Sequence, residues 1–343
     1  MSRLSTAQLL ALTVLIWGTT WHAILYQLAQ ASPEFGVTLR FLLAGAAVLA
    51  LAAWRGDPLR LPLRAHGLLA LQGLFMYGLS YVCVYHAEQH VPSGLVALGY
   101  SASPLLAGVG AWLLWRTALT GRFLAGGALG MAGVGLIFWP EIQSAGARGT
   151  ATLGLAFTVA AVAMSAVGAL AATRNRLFGI AFWPALGISM LYGALAAGVV
   201  WLAVQQPGLA DARWPAAWSW WLSLLYLTAA GTVLAFAAFL TLQQRIGPGP
   251  AASVGVMTPV LALAVSTALE GYRPDLYTLL GAALALTGNV WMLRTRAATV
   301  SAAPAPAGTR DACRTIPPPV APGDLPGGTG PGAPRRPHTE PIP

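Results

Sequence analysis

The sequence predicts an all-α polytopic membrane protein in which ten transmembrane helices form two inverted five-helix repeats. Three observations carry this expectation. Of the 343 residues, 57% are hydrophobic and only 8% charged, a balance foreign to soluble domains. The apolar residues fall into ten runs of about 20, each long enough, at 1.5 Å per helical residue, to cross a hydrocarbon core of about 30 Å. The chain also matches itself at a fixed offset, Gly94 on Gly249, Pro104 on Pro259, Gly126 on Gly281 and Gly133 on Gly288, without a gap.

In chain order the spans are expected near 6–27, 34–54, 66–87, 91–115, 122–139, 151–173, 182–205, 217–241, 248–269 and 274–293, joined by short connections. The first has only Arg3 before it and is too long for a removed signal peptide, so it stays as a signal anchor. The fourth and fifth spans match the ninth and tenth, with eleven identities across residues 94–138, where about four are expected by chance. Five spans per half is an odd number, so the second copy (151–293) enters the membrane from the side opposite to the first (6–139). Inverted repeats of this kind recur in secondary transporters, which rock two halves about a site at their interface. From 297 to 343 the pattern gives way to Ala, Pro, Gly and Thr, which reads as a disordered cytoplasmic tail.

All nineteen basic residues are arginines, and their placement sets the orientation. Eleven (Arg3, Arg55, Arg60, Arg64, Arg116, Arg122, Arg174, Arg176, Arg245, Arg294 and Arg296) fall on one side of the ten-span arrangement and three (Arg148, Arg213 and Arg273) on the other. Positive loops stay in the cytoplasm, so both termini are expected there, in a bacterial-type inner membrane. No basic patch with interleaved aromatics remains, which argues against a nucleic-acid partner despite the net charge of +9. Cys83 and Cys313 offer neither a disulfide nor a metal site. Most tryptophans belong at the lipid–water interface: Trp54, Trp112, Trp115, Trp183 and Trp291 at one face, and Trp139, Trp201, Trp214, Trp218, Trp220 and Trp221 at the other. Trp17, near the middle of the first span, and Trp21 do not fit that use.

Leu15-Ile16-Trp17-Gly18-Thr19-Thr20-Trp21 and Thr38-Leu39-Arg40-Phe41-Leu42-Leu43-Ala44 resemble the first- and second-helix signatures of the EamA-type branch of the drug/metabolite transporter superfamily. Ala97-Leu98-Gly99-Tyr100-Ser101-Ala102-Ser103-Pro104 resembles its fourth-helix segment, with Val254-Gly255-Val256-Met257-Thr258-Pro259 as the counterpart in the second half. The resemblance covers residues 6–293. It implies a ten-helix carrier that exports metabolites, amino acids among them, by alternating access. Family members often carry a glutamate after both the fourth and ninth spans; Glu270 fits the second place, whereas Trp115 stands in the first.

Arg40 lies about 9 Å inside the second span, where an unpaired charge costs several kcal/mol. Glu34, Glu88 and Glu270 near the same face are candidate partners, giving an outer gate of Arg40, Glu88, Glu270 and His86, although a packing role for Arg40 stays open. Trp17, Thr20 and Trp21 share one helical turn and could line a cavity or pack between helices. Tyr81, Tyr100, Ser101, Ser103 and Thr258 supply further hydrogen-bonding groups, and the resemblance places their spans around the central cavity. Pro104 and Pro259 permit bends at matched places, as hinges or as repeated architecture. His22 suits a helix–helix hydrogen bond better than a titrating switch. His86-Ala87-Glu88-Gln89-His90 is not the HExxH pattern, and an interfacial polar cluster is the better reading. The small-xxx-small rows of Gly126-Gly127-Ala128-Leu129-Gly130 and Gly281-Ala282-Ala283-Leu284-Ala285 serve either packing between spans five and ten or homodimerisation.

No carboxylate pair, Ser/His dyad or ligand cluster lies in mid-span, so an enzyme is not expected, and no cofactor is implied. The partners expected are a small-molecule solute and the bilayer. The alternatives to a metabolite carrier are a non-transporting sensor or scaffold, or an exporter of drugs or nucleosides. The scarcity of central acids leaves a facilitator and a proton antiporter equally open.

Overall fold

The computed structural model describes residues 4–144, 150–205, 214–247 and 251–301, and all regular structure among them is helical. The helices are α1 Thr6–Leu28, α2 Pro33–Trp54, α3 Leu63–Glu88, α4 Ser93–Trp115, α5 Gly121–Ser144, α6 Thr150–Leu177, α7 Phe182–Gln205, α8 Trp218–Ile246, α9 Ser253–Leu269 and α10 Leu276–Ser301. Eight of them, α1 to α8, are long and apolar enough to cross a membrane. The sequence leads one to expect ten such helices. The apolar stretch of α10 stops at Met292, ahead of Arg294 and Arg296, and α9 is described only from its first residues after 250, so both are shorter. Residues 297–301, assigned to the tail from sequence, instead continue α10. The rest of the tail lies outside the described residues, as do Arg148, Arg213 and Cys313.

Local chemistry fixes the ends. Ser5 and Gln8 form a reciprocal capping box that satisfies two orphan N–H groups at the start of α1. Ser32 caps α2 through the Phe35 N–H, with Pro33 preset in the first turn. Asp275 Oδ1 accepts from the Thr278 N–H (2.8 Å) ahead of α10. The chain turns away after α9 at Gly271, whose φ of 70° only glycine adopts without strain, and this turn leaves Glu270 facing the bundle.

Close helix approach comes from glycine. A Cβ on Gly133 would lie 2.5 Å from both Ala285 N and Gly281 O, and one on Gly288 would lie 2.4 Å from Gly126 O. The two small-residue rows therefore meet each other, Gly126 on Gly288 and Gly133 on Gly281, and the face offered for homodimerisation is covered within the chain. The same reciprocity joins α2 and α7, where Gly45 rests on Leu191 and Gly187 on Leu49. Two wide π-helical turns, Gly73–Leu79 in α3 and Tyr226–Leu234 in α8, interrupt otherwise α-helical spans.

The bundle is apolar outside and polar in patches within. Leu195, Val199 and Leu279 are exposed on its periphery, whereas Thr13, Gln27, Arg40 and Glu88 are buried. Trp54 and Trp218 are more than three-quarters exposed, as interfacial indoles should be. Two tryptophans expected at the interface are not. Trp220 is fully buried against Phe35 and Trp221, and Trp183 is buried with the Arg55 guanidinium over its ring. Each is drawn inward by an aromatic or cationic neighbour from another part of the chain, which a one-dimensional depth estimate cannot supply.

Candidate functional site

A cavity of about 500 Å³ lies at the middle of the bundle. Its walls bring together Trp17, Thr20 and Trp21 from α1, Arg40 from α2, Tyr81 from α3, Tyr100, Ser103 and Pro104 from α4, and Thr258 and Pro259 from α9. Glu88, Glu270 and His86 do not line it. Phe41, Tyr77, Phe236 and Asn289 do, and sequence reasoning missed them. Asn289 carried the one available signal, an amide deep in an apolar helix, and its Oδ1 has no hydrogen-bond partner among the described residues.

Trp17 donates Nε1–H to the Gly231 carbonyl (3.1 Å), which lies in the π-helical turn of α8, and its ring packs edge-on against Phe236. This explains an indole far from the interface. We expect Trp17→Phe to keep the aromatic contact but leave the carbonyl unpaired, at about 1 kcal/mol, lowering the melting temperature of the purified protein without unfolding it. An unchanged melting curve would dismiss the bond.

Most cavity hydroxyls are less free than their residue types suggest. Thr20, Ser103 and Thr258 donate to the carbonyls of Trp17, Tyr100 and Val254 on their own helices, and what they turn to the cavity is acceptor capacity. The Ser103 bond has a local cause. Pro104 has no N–H to offer the Tyr100 carbonyl, and Ser103 Oγ takes it instead at 2.6 Å, next to the tight turn Tyr100–Ala102. Tyr100 OH donates to Ser80 Oγ (2.8 Å), because the Ser80 proton is engaged by the Ala161 carbonyl.

The polar groups at one end of the cavity are paired differently from the sequence expectation. Glu34 pairs with His86 (2.7 Å) and Glu270 with His22 (3.1 Å); among the described residues Arg40 makes no salt bridge. Geometry decides this. Histidines on adjacent helices reach both carboxylates, while the Arg40 guanidinium lies over the Tyr81 ring (4.8 Å) and beside Phe41 (5.2 Å). The gate imagined from Arg40, Glu88, Glu270 and His86 is thus two separate acid–histidine pairs, with Arg40 and Glu88 outside both.

Glu270 is the centre of a clasp. Its carboxylate accepts from the Ser93 N–H (3.1 Å), the Ser93 hydroxyl and the Ser266 hydroxyl (2.7 Å), besides His22. It so ties α1 and the start of α4 to the end of α9. Backbone contact follows, since a Cβ on Gly94 would lie 2.9 Å from Leu263 Cα. Beyond Tyr100 the pair separates, and Ser103–Trp115 packs chiefly on α6.

Burial pushes the Glu270 carboxyl upward, but the hydrogen bonds from Ser93, Ser266 and His22 outweigh it and hold the group below its ordinary 4.5. A depressed carboxylate stabilises the fold above its unfolded pKa and loses that contribution as pH falls through the lowered folded value. Glu270→Gln is therefore expected to melt below the wild type at neutral pH, by about 2 kcal/mol, with the gap closing once pH drops well under 4.5. A gap constant with pH would refute the charge-assisted clasp.

A bundle of apolar helices around a central, mixed aromatic and polar cavity defines a class of helical membrane proteins with an internal binding space. The description of the EamA-like transporter family matches residues 4–139 and again 151–294, and this chain belongs to that family. The "Uncharacterized inner membrane transporter YedA" of Escherichia coli K12 is 29% identical over 266 residues, 75% of this chain and 80% of its own. The "Uncharacterized transporter YvbV" of Bacillus subtilis 168 is 25% identical over 309 residues, 87% of this chain and 94% of its own. A protein crystal structure superimposes with a TM-score of 0.58 at 20% identity, covering 87% of this chain and 99% of the other, and shows the fold alone.

Proposed function

We propose that the chain is an inner-membrane carrier, not an enzyme, that moves small metabolites, amino acids or related solutes, by alternating access. The observation that carries this is the cavity itself, which takes walls from both halves, with α4 and α9 clasped on its Glu270 side and parted beyond Tyr100. On this reading α1 to α10 all cross the membrane as two inverted five-helix repeats, 6–139 and 151–293. The reciprocal glycine contacts support it: Gly126 matches Gly281 and Gly133 matches Gly288 in sequence, yet each touches the other's counterpart, as a two-fold axis in the membrane plane requires. The arginine distribution then puts the Glu270 end outside and both termini in the cytoplasm.

The remaining site residues take roles on the same reading. Trp17, Thr20, Trp21, Tyr81, Tyr100, Ser103 and Thr258 line the solute path, Pro104 and Pro259 are the bending points, and the Glu270 clasp is the outer gate. The protein as seen would face the cytoplasm. The test is purified protein in liposomes loaded with mixed amino acids and related metabolites, with efflux followed by mass spectrometry. Selective efflux above empty vesicles is expected; none, with reconstitution and orientation verified, would overturn the reading.

A further inference from the structure

Glu88 ends α3 with its side chain only 6% exposed, and neither carboxylate oxygen has a hydrogen-bond donor among the described residues. Arg40 is 4% exposed, and its Nε and Nη1 likewise have no acceptor. The two lie within each other's electrostatic field without forming a salt bridge. A buried ion without partners is costly for either sign, and two opposite ions left apart in one interior are more so. One of them must be neutral here, and an arginine does not give up its proton in a protein.

The surrounding groups point the same way. On α3 itself His86 is turned to Glu34 of α2, and Tyr85 donates to Gln27 of α1 (2.7 Å). His22 of α1 is held by Glu270, whose negative charge also faces Glu88 and opposes a second one beside it. From α6 comes Phe157, stacked on His86 and His90. The one positive group free to approach Glu88 is the Arg40 guanidinium, which also lines the cavity. Arg40 is thus in touch with both the solute space and the acid, whereas Glu88 is screened from that space.

We propose that Glu88 carries the proton of a proton-coupled transport cycle, neutral in the conformation seen here and ionised when Arg40 turns to it. The proposal rests on the carrier reading above. A solute entering the cavity displaces the guanidinium from the Tyr81 ring toward Glu88; the Glu88 O–H bond breaks, the proton leaves to water on the cytoplasmic side, and the electron pair stays as carboxylate. When the Glu270 clasp opens, the solute departs, Arg40 returns to Tyr81, and Glu88 takes one proton from water on the outer side. One proton moves inward for each solute moved outward.

Two measurements test this. The first needs no transport: infrared difference spectra of wild type minus Glu88→Gln at neutral pH should show the carbonyl stretch of a buried protonated carboxylic acid, shifted in D₂O. Absence of that band overturns the proposal. Should Glu88→Gln fail to purify, Glu88→Asp serves in its place, moving the band instead of deleting it. The second uses proteoliposomes with the membrane potential clamped and a mixture of amino acids as probe. With one proton per solute, each unit of pH gradient should hold an approximately tenfold solute gradient in wild type. Glu88→Gln should exchange the solute yet hold no gradient, and Glu88→Asp should restore it. Wild-type flux indifferent to pH, or coupling that survives in Glu88→Gln, overturns the proposal while leaving the carrier intact. If no solute passes even down its own gradient, the carrier reading fails, and the spectrum still decides whether Glu88 holds a proton.

Discussion

Gly133→Leu is expected to leave no folded protein to recover, and Gly133→Ala to destabilise it by about 3 kcal/mol. The smaller substitution already places a Cβ 2.5 Å from two backbone atoms of α10, where no side chain can move aside. Either the helices separate along their whole contact or the chain misassembles, since dispersion between closely fitted backbones is what holds spans together in lipid. The control sits two residues away. A Cβ on Gly135 meets nothing within 4 Å, so Gly135→Ala should express and melt as wild type. Fluorescence-detected size exclusion and thermal melts of the three variants check this, and a monodisperse Gly133→Leu peak would show that α5 and α10 are not in backbone contact.

Arg40→Met should separate stability from function. A buried guanidinium with two unpartnered N–H groups burdens the fold, and an apolar side chain of similar length that packs on Tyr81 removes that burden. We expect the melting temperature to hold or rise, by the equivalent of about 1–2 kcal/mol, while pH-driven solute flux in liposomes falls at least about tenfold. A variant that melts far below wild type would mark Arg40 as structural. One that transports normally would remove it from the pathway.

The helical architecture was legible because its cause is one-dimensional. Hydrocarbon thickness sets the length of an apolar run, and Ser5, Ser32 and Asp275 mark helix starts by chemistry local to the cap. The set of cavity residues was legible for a related reason. A mid-span indole at Trp17, hydroxyls within a turn of it and prolines at matched places are features a lipid-facing helix has little use for. Partner choice was not legible. Glu34, Glu88 and Glu270 are equivalent in depth along the sequence, and only the packing of α1, α3 and α9 decides that His86 and His22 take two of them and leave the third. The hydroxyl directions of Thr20, Ser103 and Thr258 were hidden in the same way, because a side chain that bonds its own helix looks, in sequence, like one that faces a ligand. Asn289 lay on a helix whose apolar run is shorter than the others, and its bearing on the cavity depends on how α10 crosses α5.

The wide turn at Gly73–Leu79 makes the protein sensitive to chain length at a place where composition scarcely matters. A π-helical turn holds one residue more than the α-helix on either side, and each residue in a helix is about 100° of rotation. Deleting a single residue there would let α3 close into uninterrupted α-helix, with every backbone bond intact and the span still long enough for the bilayer. The segment from Ser80 to Glu88 would be turned about 100°, carrying Tyr81 off the cavity wall and Glu88 away from Arg40. Among close relatives, insertions and deletions should therefore be excluded from this turn as strictly as charges are from the lipid-facing surface, even though point substitutions at its Leu74 and Met76 need preserve only bulk and apolarity.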